Sequence, residues 1–197
     1  MKTIFLDRDG VINKTSEESP HIQNPPDYGY VRTWEGFDFL PNSRKAIRNL
    51  TQHGYRVIVV TNQAGIGRGI FTEENLKDTH RRMVAEVAAA GGNIHAVYYC
   101  SHHPDDGCEC RKPKPGMLRR AAREHNIDVS KTYFIGDSLG DIEAGHSAGA
   151  STILVLTGHG RESYRRYIHS QNADEKPDKI FTNLYTAVCW LTGTGER

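Results

Sequence analysis

Residues 55–63 read Tyr-Arg-Val-Ile-Val-Val-Thr-Asn-Gln. The stretch Tyr55–Val60 is a near-continuous run of β-branched residues, without the polar alternation of a half-solvated strand. It predicts a strand buried on both faces, the pattern of a parallel sheet. Before it, Asn42 is placed to cap a helix running to about His53, with Ala46, Ile47 and Leu50 on one face and Gly54 as its stop. After it, Thr72 is placed to cap another helix, with Glu73 and Glu74 in the first turn and Gly91-Gly92 beyond its end. Strand and helix patterns alternate on either side. Strands are expected at Thr3–Leu6, Ile94–Tyr99, Lys131–Ile135, Thr152–Leu156 and Lys179–Phe181. Helices are expected from Pro115 to about His125, over Leu139–Ala148, and around Leu184, Ala187, Val188 and Leu191. Such alternation implies a doubly wound, Rossmann-like parallel α/β sheet, with ligands bound at the carboxyl ends of its strands.

The chain has 197 residues, 37% hydrophobic and 25% charged, which suits a single globular domain over 1–197 with no large cap. Its formal net charge is +1, which argues against dedicated nucleic-acid or anionic-membrane binding. The apolar runs are too short to span a bilayer. The N-terminal run ends at Asp7 before a signal-peptide core forms, so a cytoplasmic protein is expected. A monomer is expected too. Two stretches break the alternation: Lys14–Trp34, with Pro20, Pro25 and Pro26, and Cys100–Lys114. Loops of that length are usually functional or disordered.

Four strand ends or following loops carry polar residues: Asp7-Arg8-Asp9-Gly10, Thr61-Asn62-Gln63, Arg111-Lys112-Pro113, and Gly136-Asp137-Ser138-Leu139-Gly140-Asp141. Each alone reads as an ordinary turn or cap. Together they fall on the ligand-binding face and supply what phosphoryl transfer needs. Asp7, Asp9 and Asp137 would repel one another without a cation, and oxygen ligands suit Mg²⁺. Thr61 offers a hydrogen-bond donor and Lys112 a positive charge for phosphoryl oxygens.

The set resembles the haloacid dehalogenase superfamily, whose four motifs match Asp7-x-Asp9, Thr61, Lys112 and Gly136-Asp137-x-x-x-Asp141 in order. The resemblance spans Thr3 to about Leu156. It implies Asp7 as nucleophile, Asp9 as general acid and base, Thr61 and Lys112 as phosphoryl stabilisers, and Mg²⁺ held by Asp7, the backbone carbonyl of Asp9 and Asp137, with Asp141 behind them. Receiver domains also combine Asp, Thr and Lys on an α/β sheet, but they lack the second Asp two residues on. A polynucleotide-end phosphatase fits the motifs but not the neutral charge.

Three of the four cysteines lie in the loop Cys100-Ser101-His102-His103-Pro104-Asp105-Asp106-Gly107-Cys108-Glu109-Cys110. Cys-x-His and Cys-x-Cys supply four ligands for tetrahedral, structural Zn²⁺. Cys100, Cys108 and Cys110 are joined by His102 or His103, and the resemblance selects His102. Cys189 reads as an isolated thiol. Within the superfamily two subfamilies carry such a loop, the D,D-heptose 1,7-bisphosphate phosphatases and the histidinol-phosphate phosphatases. Phe5–Asn13, Thr61–Gly69, Tyr98–Cys100 and Arg111–Met117 resemble the heptose subfamily; the short His102–Cys108 interval is similar to the histidinol one. The resemblance implies a small sugar bisphosphate substrate that loses its C7 phosphate, with histidinol phosphate or another small sugar phosphate as the alternative. Asp27, Tyr28, Gly29, Tyr30, Asn62, Gln63, Ala64 and Arg111 are the expected substrate contacts.

Overall fold

Six parallel strands pair in the order β3-β2-β1-β4-β5-β6. They are β1 (Lys2–Leu6), β2 (Tyr55–Asn62), β3 (Ile94–Cys100), β4 (Tyr133–Gly136), β5 (Ser151–Val155) and β6 (Lys179–Phe181). The helices are α1 (Ser43–Gln52), α2 (Glu73–Ala89), α3 (Gly116–His125), α4 (Leu139–Ala148), α5 (Gly160–Tyr167) and α6 (Leu184–Thr192). This computed structural model describes residues 2–15, 29–170 and 172–194. Asp27 and Tyr28, and most of the Lys14–Trp34 loop, lie outside the described residues.

The strands are buried on both faces because their side chains alternate between two helical layers. On one side Ile4, Leu6, Val57, Val59, Ile135 and Ile153 pack with Ile47 and Leu50 of α1, Met83 and Val87 of α2, and Leu184 and Val188 of α6. On the other, Phe5, Ile58, Val60 and Phe134 pack with Met117, Leu118 and Ala121 of α3 and Ala144 of α4. The chain winds outward from β1 to β3 on one side and from β4 to β6 on the other. The switch point, where loops diverge and leave a crevice, therefore lies between β1 and β4. Asp7 follows β1 and Asp137 follows β4, so both acids stand at that crevice.

The local signals explain most boundaries. Thr72 and Asn75 form a reciprocal cap on α2, and Ser138 and Asp141 do the same on α4. Asn42 does not cap α1: its backbone is left-handed at φ 62° and its side chain makes no cap bond. Strand β2 runs two residues beyond the apolar stretch, through Thr61 and Asn62, and β3 reaches Cys100. Strand β4 starts at Tyr133, because Val129–Lys131 form a 3-10 turn capped by Asp128. Helix α5 has no apolar stripe to announce it; only Gly160 and Ser163 are buried. Among the described residues no element stands apart as a cap, and no helix is long and apolar enough to cross a membrane.

Candidate active site

The site starts from a buried cation. Lys112 is buried, yet its ammonium lies 2.8 Å from Asp7 Oδ1 and 2.6 Å from Asp141 Oδ1, and donates to the carbonyl of Val60 at 3.0 Å. Burial would favour the neutral amine, but Asp141 and Asp7 outweigh it and raise the lysine's proton affinity. Asp141 is itself fixed at the first turn of α4. Its Oδ2 accepts from the Ser138 hydroxyl at 2.6 Å and the Ser138 N–H at 3.0 Å. Ser138 thus orients the acid that holds the lysine.

Asp7 and Asp137 share the rest of the crevice. Oxygens of Asp7, Asp137 and Asp141 lie within 4.8 Å of one another, all on buried residues. Burial pushes Asp7 up to about 7, against the pull of Lys112 and with the repulsion of Asp141 and Asp9. Asp137 is raised well above its ordinary value, first by burial and then by Asp7 and Asp141. One lysine does not neutralise three buried carboxylates. Asp141 has both oxygens engaged, which leaves Asp7 and Asp137 as the hard donors suited to a divalent cation such as Mg²⁺. Asp137 Oδ2 accepts the His159 N–H at 2.8 Å from the loop that starts α5. That loop also ties down the first motif, through a 2.6 Å bond from the Thr157 hydroxyl to the carbonyl of Gly10. Gly10 has φ 77°, and a Cβ there would sit 2.0 Å from Asp137 Oδ2, so only glycine admits this approach.

Asp9 is held differently. Arg8 grips its carboxylate with Nη2 at 2.8 and 2.9 Å, Asn13 Nδ2 donates at 2.9 Å and Gln63 Nε2 at 2.8 Å. Burial acts to raise Asp9, but Arg8, Asn13 and Gln63 together hold it below the usual carboxylate value. Its carboxylate is therefore enclosed by donors, while the Asp7 carboxylate faces Lys112.

Of the expected sugar contacts, Asn62 and Gln63 hydrogen-bond within the protein and Ala64 is buried. Asn62 donates from Nδ2 to the Lys112 carbonyl and accepts the Lys112 N–H, both at 3.1 Å, so its amide locks the backbone of the lysine. Gln63 is 1% exposed and bridges Asp9 to the Thr61 hydroxyl at 3.0 Å. Ala64 is also 1% exposed. Asn62 and Gln63 thereby brace Lys112 and Asp9. Arg111 Nη1 is a buried donor with no hydrogen-bond partner. Gly29 and Tyr30 are described, and the Tyr30 ring meets Phe71 edge-on at 5.9 Å. Arg8, Asn13, Thr157 and the His159 N–H are contributors that motif reasoning missed. Arg8 was the most legible of them, as a charge between two acids.

The cysteine loop forms a second cluster. The Sγ atoms of Cys100, Cys108 and Cys110 and Nδ1 of His102 all lie within 4.8 Å of one another, five of the six pairs at 3.2–3.6 Å. A tetrahedron around zinc, with Zn–S near 2.3 Å, has edges of roughly 3.8 Å, so soft donors and spacing both fit Zn²⁺. His103 points elsewhere: its Nδ1 accepts the Asp105 N–H and lies 3.4 Å from the Asp105 carboxylate. Burial pushes the Cys100 thiol up to about 12, so a metal has to supply the charge that makes it a thiolate. Gly67 packs directly on this loop, donating its N–H to Ser101 at 2.9 Å; a Cβ there would come within 2.4 Å of the His103 nitrogen.

Comparison with known proteins agrees with this geometry. The family model described as haloacid dehalogenase-like hydrolase matches residues 6–146, and a related HAD-hydrolase-like model matches 109–187. The D-glycero-beta-D-manno-heptose-1,7-bisphosphate 7-phosphatase of Pseudomonas putida is 43% identical over 84% of this chain and 89% of its own. The protein of that name from Neisseria meningitidis serogroup A is 40% identical over 93% of this chain and 91% of its own. A crystal structure of D,D-heptose 1,7-bisphosphate phosphatase from B. bronchiseptica, complexed with magnesium and phosphate, superposes with a TM-score of 0.84. It is 35% identical, over 99% of this chain and 100% of that one. This chain belongs to the haloacid dehalogenase-like hydrolase family.

Proposed function

We propose that this protein is a Mg²⁺-dependent phosphomonoesterase that removes the C7 phosphate of D-glycero-β-D-manno-heptose 1,7-bisphosphate through an aspartyl-phosphate on Asp7. The observation that carries the reading is the buried Asp7–Lys112–Asp141 ladder beside Asp137 at the sheet's switch point. The substrate and its anomer follow the relatives, which carry that name at 40–43% identity over most of this chain.

Asp7 attacks phosphorus with a carboxylate oxygen, and the bond from phosphorus to the C7 oxygen breaks. Lys112 balances charge on the transferring group, and Thr61 donates its hydroxyl hydrogen to a phosphoryl oxygen while Gln63 holds its oxygen. Asp9 gives the leaving alkoxide a proton. It rests ionised and takes up that proton from solvent water as the phosphate dianion binds, because the dianion's charge raises the carboxylate's proton affinity. Ionised again, Asp9 takes a proton from the water that hydrolyses the aspartyl-phosphate, which restores Asp7. Mg²⁺, held by Asp7, Asp137 and the carbonyl of Asp9, supplies Lewis-acid charge that lets an anionic nucleophile meet an anionic phosphate. Zn²⁺ on Cys100, His102, Cys108 and Cys110 fixes the segment that presents Arg111 and Lys112. The free Nη1 of Arg111 suits the retained phosphate. Reduced, clustered thiols fit a cytoplasmic setting.

Phosphate release with Mg²⁺ from both anomers of heptose 1,7-bisphosphate, fructose 1,6-bisphosphate and histidinol phosphate tests the reading. The β-anomer should have the highest kcat/KM of the panel. A preference for histidinol phosphate would overturn the substrate assignment.

A further inference from the structure

Behind the Asp9 cage lies a buried histidine that neither the motifs nor the proposed mechanism uses. His80 sits on α2, 7% exposed, on the face that also buries Leu76, Thr79, Met83 and Val87. Its Nε2 lies 3.0 Å from Arg8 Nη1, and its ring packs against Tyr99 at 5.8 Å. Arg8 is fully buried, and a guanidinium has donors only. Nε2 must therefore accept, so the imidazole is neutral with its proton on Nδ1. Burial, then the charge of Arg8, push His80 down to about 3, in keeping with a permanently neutral ring. With Nη1 fixed by His80, Nε and Nη2 of Arg8 turn to Asp9, at 3.2 Å and at 2.8 and 2.9 Å. The partners are adjacent in sequence, a short span across which a free arginine side chain has many other rotamers. The acceptor on α2 removes that freedom.

We propose that His80 is a positioning residue: acting through Arg8, it aims the Asp9 carboxylate at the leaving-group oxygen of the substrate. This rests on the role given to Asp9 above, and it adds α2 to the catalytic apparatus. A misplaced acid matters only where the leaving group needs a proton. An alkoxide leaving group needs one; p-nitrophenolate departs without.

The test compares pre-steady-state phosphorylation of the Mg²⁺-loaded enzyme by the heptose 1,7-bisphosphate and by p-nitrophenyl phosphate. His80→Phe keeps the ring against Tyr99 and removes the acceptor. It should slow the alkyl ester by about 10²-fold, the lower end of what general acid catalysis supplies, and the aryl ester by less than about threefold. His80→Gln offers an amide oxygen near the place of Nε2 and should recover most of the alkyl rate. Equal losses on both esters, or an unchanged alkyl rate in His80→Phe, would overturn the proposal. An independent reading needs no variant: nitrogen NMR of the wild-type protein should find the His80 ring neutral and Nε2 unprotonated from pH 5 to 8. A proton on Nε2 would refute the contact. Wild-type enzyme that cleaves p-nitrophenyl phosphate but not the heptose ester would fail the substrate reading and leave the NMR arm to decide this one.

Discussion

The molecule builds two ligand clusters about the Lys112 loop, and they are made on opposite plans. The carboxylate cluster is buried, uses oxygen donors, and carries its own cation in Lys112. The cysteine cluster is half exposed apart from Cys100, uses three sulfurs and one nitrogen, and contains no cation. The first is organised before any metal arrives, since Ser138, Asn62 and His159 already hold Asp141, Lys112 and Asp137. The second has only thiols and a ring to hold four ligands together. On the proposed reading, a metal at the first site would exchange without loss of the fold, whereas removal of one from the second would cost stability.

Breaking the carboxylate cluster at its centre should have the largest effect. Asp7→Asn removes the proposed nucleophile, and kcat should fall by about 10⁴-fold or more with the melting temperature retained. Retained turnover would reject Asp7 as the attacking group. Lys112→Met is next, because it strands Asp7 and Asp141 in a buried site. Removing one partner of a buried pair costs about 3–5 kcal/mol, so urea unfolding should register the loss along with that of activity. On the other side, Cys108→Ser should abolish zinc in metal analysis, lower the melting temperature, and reduce activity through a displaced Lys112 that added Mg²⁺ does not restore. Wild-type metal content in that variant would refute the tetrahedral site.

Titration separates the clusters further. The Asp7 carboxyl rises from 3.8 in the unfolded chain to about 7 in the metal-free fold. The fold therefore binds more protons than the unfolded chain between those values. The stability contributed by this group is full below 3.8 and is lost as pH rises through about 7. Mg²⁺ offsets the charge that appears, so the rise in melting temperature on adding Mg²⁺ should grow from pH 5 to 8; a constant or shrinking shift would contradict the carboxylate site. The smallest effect should come from Asn62→Ala, which removes two hydrogen bonds on the Lys112 backbone and should raise the activation barrier by about 1–3 kcal/mol, read as a lower kcat. A rise in KM alone would return Asn62 to the sugar.

Much of this was legible in the sequence because the strands are buried on both faces. Val57–Val60 has no polar position to confuse its period, and the four motifs follow strand ends that such runs define. Failures came where chemistry is carried by backbone or by distant partners. Helix α5 lacks an apolar stripe, and its contribution to the site is the N–H of His159. Asn42 looked like a cap by residue type, but a left-handed backbone turns its side chain from that role. Asn62 and Gln63 stand beside Thr61 and resemble ligand contacts by position; their hydrogen bonds to the Lys112 backbone and to Asp9 span distances that no local pattern announces. His80 and Arg8 are 72 positions apart, and no local pattern links them.

The most direct measurement follows the two phosphates of D-glycero-β-D-manno-heptose 1,7-bisphosphate by phosphorus NMR in the presence of enzyme and Mg²⁺. The account predicts loss of the C7 resonance, growth of inorganic phosphate in equal amount, and an unchanged C1 resonance. Loss of the C1 phosphate, or no release at all by zinc-replete protein, would contradict it.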